Sequence, residues 1–268
     1  MSEVAFNHWL PQVAEIARAA GAEIMQVYSS GDFGATSKAD SSPLTAADLR
    51  AHHLIVASLE ALTPDIPVLS EESATIPFSE RSQWARYWLV DPLDGTKEFL
   101  SRNGEFTVNI ALIDAHVPVL GVVYAPARDV LYEGSPTGAS RVQNGKMRER
   151  ISVLKPAASP VRVVGSRSHR GDSLERVLQR LGSHTLVPIG SSLKLCMVAE
   201  GSADFYPRLG PTSEWDTAAA HAVVLAAGGD VVNVDGQPLR YNTKAELLNP
   251  YFLVYGDSSR DWVGLVKG

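Results

Sequence analysis

Three strand-like runs, FTVNIALID, PVLGVVYAPA and DVLYEGS, follow one another between residues 106 and 135. They commit the middle of the first half to a sheet. Upstream, Leu10, Val13, Ile16, Ala17, Ala20, Ile24 and Val27 recur at helical spacing over residues 4 to 28. GDFGATSKADSSP reads as a loop. A second helix begins near Ala46, with Ala51, Ile55, Leu59 and Leu62 along one face. IPVLS and ARYWLV are short strand candidates that each deliver acidic residues at their carboxyl ends. RVQNGKMRER carries Asn144-Gly145 between strand-like flanks, a hairpin signal.

A seam is expected near residues 151 to 160, ISVLKPAASP. Beyond it, the strands VRVVGS, HTLVPIG, ADFYPRL, DVVNV and YFLVYG alternate with helical stretches at about 173–181, 191–200, 215–227 and 258–266. The pattern predicts an α/β protein whose first half is α+β and whose second is α/β. Expected units are 1–155 and 156–268, packed as one body with the site between them.

Composition narrows the function. The chain has 24 basic and 30 acidic residues, a formal charge of −6, which argues against a partner that is a nucleic-acid polymer. A small phosphorylated substrate stays open, because bound cations reverse the local sign of a site. One cysteine, Cys196, permits no intrachain disulfide. MSEVAFNHWLPQV lacks a basic leader and an apolar core, so no secretory signal is expected, and no transmembrane segment either. The default location is the cytoplasm; the sequence carries no evidence on loose association with the inner face of the cell membrane, nor on oligomeric state.

Several catalytic patterns are absent. There is no P-loop, no Gly-x-Ser-x-Gly elbow and no zinc spacing. Cys196 lacks the arginine six positions on that a cysteine phosphatase loop needs, and SHRGD reverses the order of a histidine phosphatase. The scattered histidines read as packing or surface residues, with His52 and His53 pointing different ways on a helix.

Carboxylates with phosphate-friendly neighbours remain: Glu71 and Glu72 in SEES, Asp91 and Asp94 in DPLDGT, Asp48 in TAAD and Asp216 in SEWD. Thr45-x-x-Asp48 and Ser213-x-x-Asp216 also fit capping boxes that open helices. DPLDGT also fits a turn, since Asp-Pro and Asp-Gly both favour one. In its functional reading the strand YWLV fixes Asp91, Pro92 bends the chain, and Asp94 returns to the same side. Main-chain carbonyls there can join the carboxylates as hard ligands for Mg²⁺. Gly95 and Thr96 would offer N–H groups to an anion at the start of a helical turn. Two like charges about 4 Å apart repel by roughly 4 kcal/mol at an effective dielectric near 20, so converging acids require cations.

WLVDPLDGTKEF and WDTAAAH resemble the two signature segments of the inositol monophosphatase superfamily of Mg²⁺-dependent phosphatases, and SEES and SPLTAAD fall in that family's order and approximate spacing. The resemblance spans nearly the whole chain. It is closer still to the bacterial 3′(2′),5′-bisphosphate nucleotidase group, through DGTKEF, GSRSH, GSSLK and LGPTSEWDTAAAHAVVLAAGG. It implies the layered αβαβα sugar-phosphatase fold, lithium sensitivity, and hydrolysis of the 3′-phosphate of adenosine 3′,5′-bisphosphate to AMP, a step of sulfur metabolism.

Carried onto this chain, the resemblance implies that Glu71, Asp91, Asp94, Asp216 and the Leu93 carbonyl hold two or three Mg²⁺ ions. Asp48 and Thr96 would orient and deprotonate the attacking water, with Glu71 also catalytic. Gly95 and Thr96 would hold the scissile phosphate, while Lys194, Arg208, Ser166 and His169 would meet other parts of the nucleotide. Glu72 would stand outside the metal ligands. Two alternatives stay open: an inositol-1-phosphate or sugar-bisphosphate phosphatase, and a nucleotide-binding sensor without catalysis.

Overall fold

The first two helices form where apolar residues recur on one face. α1 (Glu3–Ser30) buries Val13, Ala17, Ala20, Ile24 and Val27, and α2 (Ala46–Leu62) buries Ala47, Ala51, Ile55 and Leu59. The structure is a computed structural model that describes residues 3–31, 34, 36–37, 43–165 and 172–268. Between the helices a short antiparallel pair joins β1 (Thr36–Ser37) to β2 (Pro43–Leu44).

The predicted strands of the first half make one sheet. Its members are β3 (Val68–Ser70), β4 (Arg86–Asp94), β5 (Thr107–Asp114), β6 (Val117–Ala125), β7 (Val130–Ser135), β8 (Gly138–Gln143) and β9 (Glu149–Ile151), in that spatial order. Only β3 runs parallel to its neighbour β4; the other pairs are antiparallel. The β8–β9 connection turns at Asn144 and Gly145, both with positive φ (50° and 63°), as the hairpin signal implied. Two short helices had no sequence signal, α3 (Phe78–Arg81) and α4 (Thr96–Leu100), each too brief for periodicity to register.

The later half builds a mixed sheet from β10 (Val161–Gly165), β11 (His184–Pro188), β12 (Phe205–Arg208), β13 (Asp230–Asn233) and β14 (Phe252–Tyr255), in the order β11-β10-β12-β14-β13. Interleaved are α5 (Asp172–Leu181), α6 (Leu193–Ala199), α7 (Glu214–Ala226) and α8 (Trp262–Lys267). The last helix starts later than its apolar pattern suggests. Asp257 binds the Ser259 N–H and hydroxyl in a turn, and Asp261 then caps α8 through the Gly264 N–H at 2.8 Å.

Side-chain alternation along the strands sets the layers. Trp88, Val90, Ile110, Leu112 and Val122 face α1 and α2, whereas Tyr87, Leu89, Ala111, Ile113 and Val123 face α6 and α7. The far side of α6 and α7 meets Tyr206, Phe252 and Val254 of the second sheet. That sheet's outer face, with Val163, Phe205 and Leu253, is covered by Val177 of α5 and Trp262 of α8. The result is the αβαβα order. Because α6 and α7 serve both sheets, the two halves share one core.

Close approach makes this middle layer possible. Gly121 and Gly134 are cross-strand partners on β6 and β7. A Cβ on Gly121 would run into the Ala219 carbonyl of α7, and one on Gly134 would lie 2.5 Å from the Val223 Cα. Two missing side chains thus let α7 settle on the sheet and fix where its first turn points.

Candidate active site

Asp91 and Asp94 are three apart, so a regular strand would send them to opposite faces. The structure resolves this without the turn that Asp-Pro suggested. β4 continues through Asp94, and its register against β5 slips: Asp91 pairs with Asn109, then Asp94 with Thr107. Three residues of β4 are spent against two of β5, a bulge at Pro92–Leu93 where the proline has no N–H to offer. The extra residue brings Asp94 back to the side of Asp91. The Leu93 N–H donates to Asp91 Oδ1 at 3.0 Å, and the Leu93 side chain is buried in the core beside α1 and α2. Gly95, at φ +91°, then makes a left-handed step into α4.

Parallel pairing delivers the next acid. Ser70 is level with Val90, so Glu71, just past the end of β3, comes beside Asp91 of β4, and their carboxyls are hydrogen-bonded. Asp216 comes from the other half, in the first turn of α7, where it accepts the Ser213 N–H at 2.9 Å in the predicted capping box. Carboxylate oxygens of Asp91, Asp94 and Asp216 lie within 4.8 Å of one another, the one such group among the described residues.

The cluster is electrostatically uncomfortable. Burial, followed by the charges of Glu71, Asp94 and Asp216, pushes the Asp91 carboxyl well above the usual range. Burial, then Asp94 and Glu71, pushes Asp216 up to about 8. Hard oxygen donors crowded until they resist ionisation fit a site for divalent cations, whose charge removes the repulsion.

Asp48 satisfies the other predicted capping box. Its Oδ2 accepts the Thr45 N–H at 2.8 Å and the Thr45 hydroxyl at 2.6 Å. One helical turn on, His52 Nδ1 meets the Ser70 hydroxyl at 2.9 Å, which seats this end of α2 beside the residue preceding Glu71. Thr96 opens α4, which packs against β2, and its hydroxyl reaches the Leu93 carbonyl at 3.5 Å. The Thr45 hydroxyl of the predicted capping box thus lies on Asp48. Glu72 acts electrostatically on His52. His52 and His53 do not diverge fully, their rings meeting edge-on at 5.3 Å. Among the other histidines, His221 is buried against the Tyr241 hydroxyl and held neutral, its pKa lowered to about 3 by burial.

Asp94, Gly95 and Asp216 line a cleft of about 180 Å³ with Lys194, Arg208 and Ser192. Lys194 lies 6.0 Å from the Tyr206 ring centroid, and burial lowers its pKa against the pull of Asp94. Arg208 donates to the Thr212 hydroxyl and the Pro211 carbonyl. Ser166 and His169 lie outside the described residues.

A second set of residues went unread in the sequence. Gly190-Ser191-Ser192 joins β11 to α6, and the Ser192 N–H donates to Asp94 Oδ2. The serine hydroxyls bond to Thr107 and Asn109 of β5. Gly190 donates to Glu105 Oε2 at 2.8 Å, while Arg128 donates to Glu105 Oε1 at 2.9 Å. The segment GSSLK was visible, but its partners lie more than 80 positions away, beyond any local pattern.

The sequence matches the inositol monophosphatase family over residues 7–256. The chain belongs to that family. It is 54% identical over 246 residues to the 3′(2′),5′-bisphosphate nucleotidase CysQ of Escherichia coli strain K12, an alignment covering 91% of this chain and 98% of that one. With the CysQ of Haemophilus influenzae identity is 37%, over 96% of each chain. The crystal structure of CysQ from Bacteroides thetaiotaomicron, described as a bacterial member of the family, superposes with a TM-score of 0.81 at 43% identity, covering 91% of this chain and 96% of that one. Inositol monophosphatase from Anabaena sp. PCC 7120 shares the fold at a TM-score of 0.73 and 25% identity, over 98% of this chain and 95% of that one. Among the described residues no helix is long and apolar enough to cross a membrane.

Proposed function

We propose that this chain is a Mg²⁺-dependent 3′(2′),5′-bisphosphate nucleotidase that converts adenosine 3′,5′-bisphosphate and water to AMP and phosphate. The observation that carries the reading is the convergence of Asp91, Asp94 and Asp216 from two sheets' worth of chain onto one point, beside a cleft bearing Lys194 and Arg208. High identity to CysQ proteins over almost their whole length supports the substrate. An inositol phosphate would present one phosphate and a neutral ring, leaving the cationic wall without a partner.

Glu71, Asp91, Asp94, Asp216 and the Leu93 carbonyl would hold two or three Mg²⁺ ions. Bound there, the ions supply Lewis-acid polarisation of the phosphoryl group and a water acidic enough to serve as nucleophile at neutral pH. The protein's own groups orient the reaction. Asp48, its carboxylate held by Thr45, accepts the water proton, and the Thr96 hydroxyl positions that water. Backbone N–H groups at Gly95 and Thr96 receive the scissile phosphate, and Lys194 and Arg208 draw the rest of the nucleotide into the cleft. The reading places the site between the halves 1–155 and 156–268, and a cytoplasmic location accords with the lone buried thiol of Cys196.

Replacing Asp94 by Asn removes one ligand charge while keeping its shape. Mg²⁺-dependent phosphate release should fall by more than about a hundredfold, beyond the usual cost of losing a partner behind a ligand. Activity left essentially unchanged would refute the assignment. Lithium should inhibit by occupying a cation position, and full turnover in high lithium would count against it.

A further inference from the structure

Behind the acid cleft lies a separate cavity. Its volume of about 460 Å³ suits a small organic ligand, and it shares no lining residue with the cleft at Asp94. The start of α6 stands between the two. Ser192, Lys194 and Leu195 line the cleft, whereas Leu193 and Met197 line the cavity. Ile189, just past β11, extends this apolar floor.

The polar part of the lining has more donors than acceptors. It includes Arg128, in the turn between β6 and β7, and Arg141 and Gln143 of β8. A guanidinium carries five N–H donors. The Glu105 carboxylate and the Gly104 carbonyl take two of those on Arg128. Arg141 gives Nη1 to Glu200 at 2.8 Å and pairs through Nη2 with Glu149 at 3.5 Å, and its buried Nε has no hydrogen-bond partner among the described residues. Glu200, the one carboxylate among the described lining residues, also accepts from Tyr132 at 3.0 Å and Ser202 at 2.7 Å. Its oxygens are occupied. An apolar floor beside surplus guanidinium donors suits an acid group carried on a ring or hydrocarbon body.

Arg128 also links the cavity to the acids. It holds Glu105, Glu105 holds the Gly190 N–H, and two residues on the Ser192 N–H donates to Asp94 Oδ2. The Glu105 side chain is only 5% exposed, against 39% for Arg128. An anion that draws this guanidinium toward the cavity leaves a buried carboxylate without its countercharge, and the hold on Gly190 loosens.

We propose that this cavity is a second binding site, for a small organic acid whose acid group meets Arg128 and Arg141 and whose apolar body rests on Ile189, Leu193 and Met197. Occupancy weakens cation binding at Asp94 through Glu105 and the Gly190–Ser192 loop. The coupling rests on the cation site proposed above; the binding does not.

Naphthalene-1-sulfonate serves as the probe, with methanesulfonate supplying the acid group alone and 1-naphthalenemethanol the body alone. Calorimetry on the metal-free protein measures each against the wild type, Gln143→Glu and Met197→Trp. The first variant sets a carboxylate beside the arginines and the second fills the floor; neither residue lines the acid cleft. The probe should bind the wild type about tenfold or more tightly than either fragment, and each variant about tenfold or more weakly than the wild type, as expected for a charge-assisted bond and for lost apolar burial. Mg²⁺ should bind the wild type about fivefold or more weakly when the probe is saturating, and by linkage Mg²⁺ must weaken the probe by the same factor. Without probe, both variants should bind Mg²⁺ as the wild type does. A probe that binds no better than its fragments, or binds either variant as tightly as the wild type, overturns the proposal. Probe binding with Mg²⁺ affinity unchanged overturns the coupling. These affinities in a protein that releases no phosphate from adenosine 3′,5′-bisphosphate would refute the nucleotidase reading and leave the second site standing.

Discussion

Mg²⁺ should bind this protein with a steep pH dependence below about pH 8, and the reason is Asp216. Its carboxyl, pushed up to about 8 by burial and then by Asp94 and Glu71, is mostly protonated at pH 6 in the metal-free protein. A cation needs the carboxylate, so binding must expel that proton. For one proton with a pKa near 8, apparent affinity should rise by about 50-fold from pH 6 to pH 8, then level off. Asp91 is shifted in the same direction by burial and the same neighbours, and steepens the curve. Stability follows the same sign. A carboxyl whose folded pKa lies above its unfolded value stabilises the fold below the unfolded pKa, and that contribution is lost as pH rises through the folded one. The metal-free protein should therefore melt at progressively lower temperature from about pH 4 to pH 8, while the protection given by Mg²⁺ grows. Titration calorimetry of the metal-free protein at both pH values, in two buffers of different ionisation enthalpy, reads affinity and protons released together. An affinity that changes less than twofold, with no buffer-dependent heat, would refute the electrostatic account of the cluster.

Other perturbations probe the scaffold beneath the site. Gly121→Ala should destabilise the protein by about 3 kcal/mol, the upper range for overpacking, because the added methyl meets the Ala219 carbonyl; urea unfolding at an unchanged midpoint would contradict the close packing of α7. Glu105→Ala leaves the Gly190 N–H and the half-exposed Arg128 without their shared partner and should cost about 1–3 kcal/mol in thermal unfolding. It should also weaken Mg²⁺ binding, since the loop it anchors carries the Ser192 N–H that orients Asp94. Unaltered metal affinity in a destabilised variant would show the anchor to be structural alone.

The fold was legible where periodicity was long. α1, α2 and the strands from Arg86 to Ser135 stand close to where their apolar patterns placed them. The four acids were legible too: Glu71 follows a strand, Asp94 ends one, Asp216 lies in the first turn of a helix, and Asp91 sits three residues before Asp94 in the same short motif, so the grammar is written in consecutive residues. Both capping boxes formed as that grammar required, which shows that a capping role and a place at the site do not exclude each other. The geometry that unites the acids was harder to read. The bulge at Pro92–Leu93 depends on register against β5, and the approach of Asp216 depends on two glycines on strands far from it. The Gly190–Ser192 loop and its Glu105–Arg128 anchor were out of reach for the same reason, being contacts between segments with no shared local pattern.

The central claim concerns which phosphate ester this arrangement cleaves. Initial rates of phosphate release from adenosine 3′,5′-bisphosphate and from inositol 1-phosphate, each with and without Mg²⁺, yield kcat/KM for both. The account predicts that the bisphosphate nucleotide is preferred by at least about a hundredfold, the combined weight of two or more charge-assisted contacts, and that omission of Mg²⁺ abolishes turnover of both. Equal or greater kcat/KM for inositol 1-phosphate, or turnover that persists without a divalent cation, would contradict it.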